Sequence, residues 1–144
     1  MATVTAVCIS TRKGTRKVSA PEIVLVRGQG IAGDAHAGNW HRQVSLLANE
    51  SVDTMRGLGM DLGAGDFAEN IVTRGIVLKT LPVGTVLAVG PALLAVTQIG
   101  KECHNDCEIK RLTGRCVMPT EGIFAIVLRG GTVRPGDPIK PVEV

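Results

Sequence analysis

A chain of 144 residues is the size of one domain and is long enough to bury a core without staples. Hydrophobic residues make up 44% of it but aromatics only 2%, which removes the material for stacking single-stranded nucleic acid. The formal charge of +3 is too small to argue for nucleic-acid binding, and no apolar run reaches the length of a membrane span.

Neither nucleic acid nor membrane is therefore expected as a partner. The first ten residues alternate and lack the basic start and apolar centre of a signal peptide. That points to a cytoplasmic protein with reduced thiols. With so few aromatics, the core has to come from Val, Ile, Leu and Ala. The 18 glycines and 7 prolines demand many tight turns, which favours β structure over a helix bundle.

Thr3 to Ser10 reads as a strand covered on both sides, with Val4, Ala6 and Cys8 on one face and Thr5, Val7 and Ile9 on the other. Cys8 is expected to be an inert core thiol. Arg12, Lys13, Arg16 and Lys17 form a basic loop, expected to be solvated, with a clamp for an anionic ligand as the alternative. Glu22 to Arg27 is the next predicted strand. Ile31 to Asn39 is polar and glycine-rich, the character of an ordered functional loop. Gln43 to Leu47 returns to strand.

Asn49 and Glu50 suit the start of a helix over 49–57, with Val52, Met55 and Leu58 as its apolar stripe. Phe67 to Thr73 is a predicted strand that carries the polar pair Glu69-Asn70. Thr85 to Val89 and Ala92 to Ile99 flank Gly90-Pro91 as a hairpin. Asn105 or Asp106 can cap a short helix that Gly114 ends. Ile123 to Leu128 and Thr132 to Arg134 suggest a second hairpin, closed by Gly130-Gly131 in a type I′ turn. A last strand is predicted near Ile139 to Val142. The sum is one domain over residues 1–144. It is mainly β with two or more short helices, in a mixed, barrel-like fold.

Chemistry concentrates in Gly100-Lys101-Glu102-Cys103-His104-Asn105-Asp106-Cys107 and at Cys116. Lys101, His104 and a helix start all favour the thiolate of Cys103, which makes it the candidate nucleophile. Cys103, Cys107 and Cys116, with His104, also have the donor types of a zinc site, although their spacing is not a standard knuckle. Asp34, His36 and His41 form a second polar cluster. There Gly33 and Gly38 permit close backbone approach and Arg42 offers a cation to an anionic ligand. Glu69-Asn70 suits either a neighbouring loop or the edge of a heterocycle. No phosphate loop, dinucleotide fingerprint or hydrolase elbow is present.

Several ordered blocks together resemble the MOSC domain, named for the C-terminal part of molybdenum cofactor sulfurase. They are Gly30-Ile31-Ala32-Gly33-Asp34-Ala35-His36-Ala37-Gly38, Arg42-Gln43-Val44-Ser45-Leu46-Leu47, Gly65-Asp66-Phe67-Ala68-Glu69-Asn70-Ile71 and Val96-Thr97-Gln98-Ile99-Gly100-Lys101-Glu102-Cys103-His104. Met118 to Phe124 and the Gly130-Gly131…Gly136-Asp137 tail are similar to small stand-alone bacterial members.

The resemblance implies a barrel-like β fold of the pyruvate-kinase β-barrel kind. It implies handling of the molybdenum cofactor, a molybdopterin, with sulfur carried on Cys103 as a persulfide. Gly33, Asp34, His36, Arg42, Glu69, Asn70, Lys101 and His104 become the expected cofactor-binding residues. A pyridoxal-phosphate-dependent cysteine desulfurase is the expected sulfur donor and a molybdoenzyme apoprotein the recipient; pyridoxal phosphate belongs to the donor, not to this chain. Whether the chain is an enzyme stays open between a sulfurtransferase-like accessory protein and a cofactor carrier that moves no sulfur. A structural zinc site is the third reading.

Overall fold

The computed structural model describes residues 2–11, 17–56, 65, 69–100 and 122–142. In chain order the elements are β1 (Thr3–Ile9), β2 (Val18–Ala20), β3 (Ile23–Val26), β4 (Gly30–Ile31), β5 (Val44–Ala48), α1 (Asn49–Arg56) and β6 (Ile71–Arg74). A 3-10 turn (Leu78–Thr80) then leads to β7 (Val86–Val89), β8 (Ala92–Ile99), β9 (Ile123–Arg129), β10 (Gly131–Val133) and β11 (Ile139–Val142).

Eight strands form one mixed sheet in the order β11-β7-β8-β9-β5-β6-β1-β2, and β10-β3-β4 form a second, small sheet. Among the described strands, only β5 and β6 pair in parallel. A parallel pair needs a crossover, and α1 lies on it. Glu50 Oε2 accepts from Gly75 N at 2.9 Å, which ties the start of the helix to the turn after β6.

Burial follows the pattern of the side chains. In β3, Ile23 and Leu25 are buried while Val24 and Val26 are exposed, so the small sheet covers the core with one face. All five residues of β5 are buried, as in a strand packed on both sides. Ile23, Leu25, Ile31 and Val133 of the small sheet join Val7, Leu46, Ile71, Leu94 and Ile123 of the large one in a single aliphatic cluster. This is the core that an aromatic-poor composition requires.

The large sheet is not closed into a barrel, which corrects the barrel-like expectation. Its ends approach at one bridge, Thr3 to Pro138, beside the bonds Val4 N to Asp137 O at 2.8 Å and Ile139 N to Ala2 O at 3.2 Å. Ile139 N faces β1 here, and Pro141, two residues on and on the same side, has no N–H with which to extend the contact.

The hairpin expected over 123–134 is also corrected. β9 pairs with β8 and β5, whereas β10 pairs with β3 in the other sheet. Gly130 and Gly131 carry the chain between sheets through a tight gap. A Cβ on Gly130 would stand 2.4 Å from Leu25 O, and one on Gly131 would stand 2.8 Å from Pro91 Cγ. Neither glycine has a positive φ. Space, not turn geometry, requires them.

The remaining expectations hold with small shifts. The strand predicted over 22–27 shortens to β3 and gains β2 and β4 on either side. The Gly90-Pro91 hairpin forms, pairing Val89 with Ala92. The last strand and the helix at 49 lie where expected. The second helix, expected after Asn105, falls outside the described residues.

Asn70 stands just before β6 and extends that strand with its side chain. Its Oδ1 accepts from Ser45 N at 3.0 Å and Ser45 Oγ at 3.1 Å, while its Nδ2 donates to Cys8 O at 3.1 Å. Its backbone N donates to Ser45 O, and its backbone O accepts from Cys8 N at 2.7 Å. One buried amide thus continues the ladder to β5 on one side and β1 on the other. Asn70→Ala would leave the Ser45 N–H and the Cys8 carbonyl without these partners, at about 1–3 kcal/mol each. Asn70→Asp keeps the acceptor but buries a charge and turns its second oxygen on the Cys8 carbonyl, so it should cost at least as much as Asn70→Ala by urea unfolding at pH 7. Equal stability of Asn70→Ala and wild type would refute this role.

Candidate functional site

The loop after β4 closes in two successive turns, Asp34 N to Ile31 O and Ala37 N to Asp34 O, both 3.1 Å. The Asp34 carboxylate is the hub. Its Oδ2 accepts from the backbone N of His36 at 3.1 Å, an aspartate bonding its own chain two residues on. Its Oδ1 accepts from Ser10 N at 3.1 Å and from Lys17 Nζ at 2.8 Å. Lys17 Nζ also bonds His36 Nδ1 at 2.9 Å. The Lys17 and Asp34 side chains are both 0% exposed.

Lys17 is therefore not part of a solvated basic loop, which corrects that expectation. A buried ammonium is tolerated where anions and acceptors surround it. Burial pushes Lys17 below the ordinary lysine value, while the Asp34 hydrogen bond and the charges of Asp34, Cys8 and Glu69 oppose that. Burial by itself would raise Asp34. The hydrogen bonds from Lys17 and the Ser10 backbone, with the Lys17 charge, outweigh it and hold the carboxyl well below the usual carboxylate range. Glu69 is fully buried. Gly65, at φ +87°, lies against this centre: Lys17 N donates to Gly65 O at 2.7 Å, and a Cβ there would stand 2.1 Å from Lys17 O.

A row of rings leads outward from the hub. His36 and Trp40 stack with centroids 6.3 Å apart, and Trp40 meets His41 edge to face at 5.8 Å. Trp40 Nε1 donates to His36 O at 2.7 Å. At the far end, Gln98 Oε1 lies 2.9 Å from His41 Nε2 and accepts from Arg42 Nε at 3.2 Å. The Gln98 Nε2 donates to Gly100 O at 2.7 Å. The guanidinium of Arg42 sits 5.4 Å over the Phe124 ring, and Thr97 Oγ1 bonds the His41 carbonyl. Gln98 is thus a clasp that holds His41 and Arg42 to the end of β8.

The structure therefore joins Asp34 and His36 directly and links them to Arg42 through Trp40, His41 and Gln98. Gly33 is exposed in the turn before Asp34. Glu69 and Asn70 lie buried beneath, with Asn70 engaged by β1 and β5. Lys101, Cys103, His104, Cys107 and Cys116 lie outside the described residues. Cys8 is buried, as expected. Sequence reasoning missed Lys17, Gln98 and Trp40 as site residues. The signal for Gln98 was a polar residue near the end of an apolar strand.

Among the described residues no group of three His, Cys, Asp or Glu side chains is arranged to hold a metal. Two hollows lie elsewhere, one along Ile76, Leu78 and Lys79 and one along Ala2, Pro138 and Pro141. Neither is lined by any residue of the Asp34–Arg42 constellation. No described helix is long and apolar enough to cross a membrane.

A mixed open sheet capped by a small second sheet, with a buried aspartate loop beside a glutamine clasp, defines the class of this protein. The family model of the MOSC domain matches residues 33–140, and the chain belongs to that family. YuaD from Bacillus subtilis shares the fold with a TM-score of 0.77 and 20% identity, covering 96% of this chain and 94% of its own. YiiM from Geobacillus stearothermophilus follows at 0.73 and 19%, covering 99% of this chain and 76% of its own. YiiM from Escherichia coli matches at 0.68 and 19%, covering 99% and 69%. No curated protein matches the chain. Family membership is consistent with a role connected to the molybdenum cofactor.

Removing one partner of a buried ion pair typically costs about 3–5 kcal/mol because the other charge is stranded. Asp34→Ala and Lys17→Met should each lose about that much by urea unfolding at pH 7. The double variant should lose much less than their sum; simple additivity would exclude the pairing. The folded-state value of Asp34 lies below its unfolded value near 3.9. Its contribution is therefore complete above about pH 4 and lost as pH falls through the folded value. Unfolding measured from pH 6 to pH 2 should show this acid loss in wild type and a shallower one in Asp34→Asn.

Proposed function

We propose that this MOSC domain binds the anionic molybdenum cofactor beside the Gln98 clasp and carries sulfur on Cys103. The observation that carries the reading is the clasp itself. Gln98 ties the cationic Arg42 to Gly100, from which the chain runs into Lys101-Glu102-Cys103-His104. Cys103 is three residues beyond Gly100, and three residues of chain span at most about 11 Å.

The described donors suit an anionic guest. Arg42 spends only its Nε on Gln98, and its two terminal NH2 groups bond no described residue. The charge of Asp34 is countered internally by Lys17, so the loop presents no bare carboxylate to a negative ligand. Arg42 and His36, with Lys101 and His104 from the neighbouring segment, would hold the cofactor's negative groups, and Gly33 gives backbone access. Glu69 and Asn70 support that wall from below. When bound, the cofactor supplies a metal centre able to take a sulfur ligand.

The residue chemistry is thiolate exchange. The Cys103 thiolate attacks the terminal sulfur of the persulfide on a pyridoxal-phosphate-dependent cysteine desulfurase. The S–S bond of the donor breaks, the donor thiolate leaves, and Cys103 holds the new persulfide with its proton. No external oxidant is needed. Lys101 and His104 would favour the Cys103 thiolate. A molybdoenzyme apoprotein is the proposed recipient, and a reducing cytoplasm the setting in which the thiol stays free.

Incubation with a cysteine desulfurase and cysteine, followed by intact-mass analysis, tests this. Wild type and Cys8→Ser should gain one sulfur atom, and Cys103→Ser none. Arg42→Ala should keep the loading and weaken cofactor retention roughly tenfold or more, the worth of a charge-assisted hydrogen bond. Cofactor retained without any sulfur gain would make the chain a carrier only. About one zinc per chain, lost in Cys103→Ser, Cys107→Ser and Cys116→Ser alike, would replace the proposal with a structural zinc site.

A further inference from the structure

We propose that Lys17 is a positioning residue that locks His36 in its neutral Nε2–H form and turns that N–H outward as a donor. Lys17 lies in none of the sequence blocks that mark the family, and it is too deeply buried to meet a ligand itself. Its place in the hub gives it a different task.

The argument is one of donors and acceptors. Lys17 Nζ stands 2.8 Å from the Asp34 carboxylate and 2.9 Å from His36 Nδ1. An ammonium has three hydrogens to donate and no lone pair to offer. Beside the ionised Asp34 it is an ammonium, so His36 Nδ1 must be the acceptor. An imidazole that accepts at Nδ1 carries its proton on Nε2. The two ring nitrogens point in diverging directions, so Nε2–H is aimed away from the buried pair. The His36 ring is 21% exposed, and among the described residues nothing accepts from Nε2.

Without Lys17 the geometry favours the opposite form. Asp34 Oδ2 lies 3.7 Å from His36 Nδ1, close enough to draw a proton onto Nδ1 once no ammonium competes. Lys17 and an Nδ1 proton are thus alternatives at the same carboxylate. The ring orientation is fixed independently by the stack on Trp40 and by the bond from Trp40 Nε1 to His36 O. Lys17 therefore decides the tautomer, while Trp40 decides where the ring lies. The outward N–H would serve an anionic guest at the rim. That use, but not the tautomer, rests on the function proposed above.

Proton–nitrogen correlation of the imidazole rings in 15N-labelled protein without cofactor, near neutral pH, reads this directly. His36 is assigned by the signals missing in His36→Gln. Wild type should show Nε2 protonated and Nδ1 bare. In Lys17→Met the proton should move to Nδ1, so that the two nitrogens exchange shift ranges. In Lys17→Met/Asp34→Asn, which removes both charges and guards against a single variant that does not fold, both tautomers should be populated. A wild-type ring protonated on Nδ1, or on both nitrogens, overturns the proposal. So does an unchanged ring in every folded Lys17 variant. The lock found intact in a protein that neither binds cofactor nor loads sulfur would spare this inference and remove the function instead.

Discussion

A buried lysine needs a buried anion, and most of this site is arranged around that need. Asp34 meets Lys17 at 2.8 Å with both side chains sealed from water. The pair draws in the end of β1 through Ser10, the loop after β4 through His36, and the Gly65 backbone against Lys17. These segments are far apart in sequence and share no strand ladder at this point. A weak surface ion pair would not hold them together. A desolvated pair does, because separating it strands a charge in the interior. The cost of burying Lys17 is thus what makes the arrangement specific.

Much of the fold was legible because its strands announce themselves by pattern. The first strand, the apolar run of β8 and the short final strand all read correctly from pattern and flanking turns, although a bulge between Val4 and Ala6 brings Val4 and Val7, expected on opposite faces, into one core. The failures have one cause. A glycine needed for a turn and a glycine needed for clearance look the same in a sequence. Gly130-Gly131 read as a hairpin, yet the pair exists so that β10 can leave the large sheet past Leu25 and Pro91. Closure of the sheet was likewise beyond local pattern. It depends on contacts between strands remote in sequence, and here β1 meets the start of β11 at one bridge that Pro141 cannot extend.

The site was half legible for a related reason. Asp34 and His36 stood out because polar residues among glycines invite the question of what they bind. Lys17 did not, because a cation next to Arg16 and Lys13 resembles one more solvated charge. Nothing local distinguishes the lysine that turns inward; only a partner seventeen positions further along the chain does, and that partner sits in the loop after β4. Asn70 was open to two readings, a neighbouring loop or the edge of a heterocycle. Its amide mimics a peptide group and completes the ladder between β5 and β1.

Under the proposed function, the described wall would hold the guest and the cysteine-bearing sequence beyond Gly100 would carry the sulfur. Arg42, Trp40 and His36 stand on a core of packed aliphatic residues, with their donors oriented by Gln98 and Lys17. Gly100, at the end of β8, and Gly122, before β9, meet directly, with Gly100 N bonding Gly122 O at 2.7 Å. Both ends of the intervening stretch are therefore pinned at one point of the β8–β9 ladder, beside the clasp. Gln98 spans this junction, with one end of its amide on Arg42 and His41 and the other on the Gly100 carbonyl. On the proposed function, a ligand held by Arg42 would act on the point from which the chain runs to Cys103. The Gln98 amide would then couple recognition to the sulfur, and a hydrophobic residue of equal size at 98 would keep the strand while cutting that link.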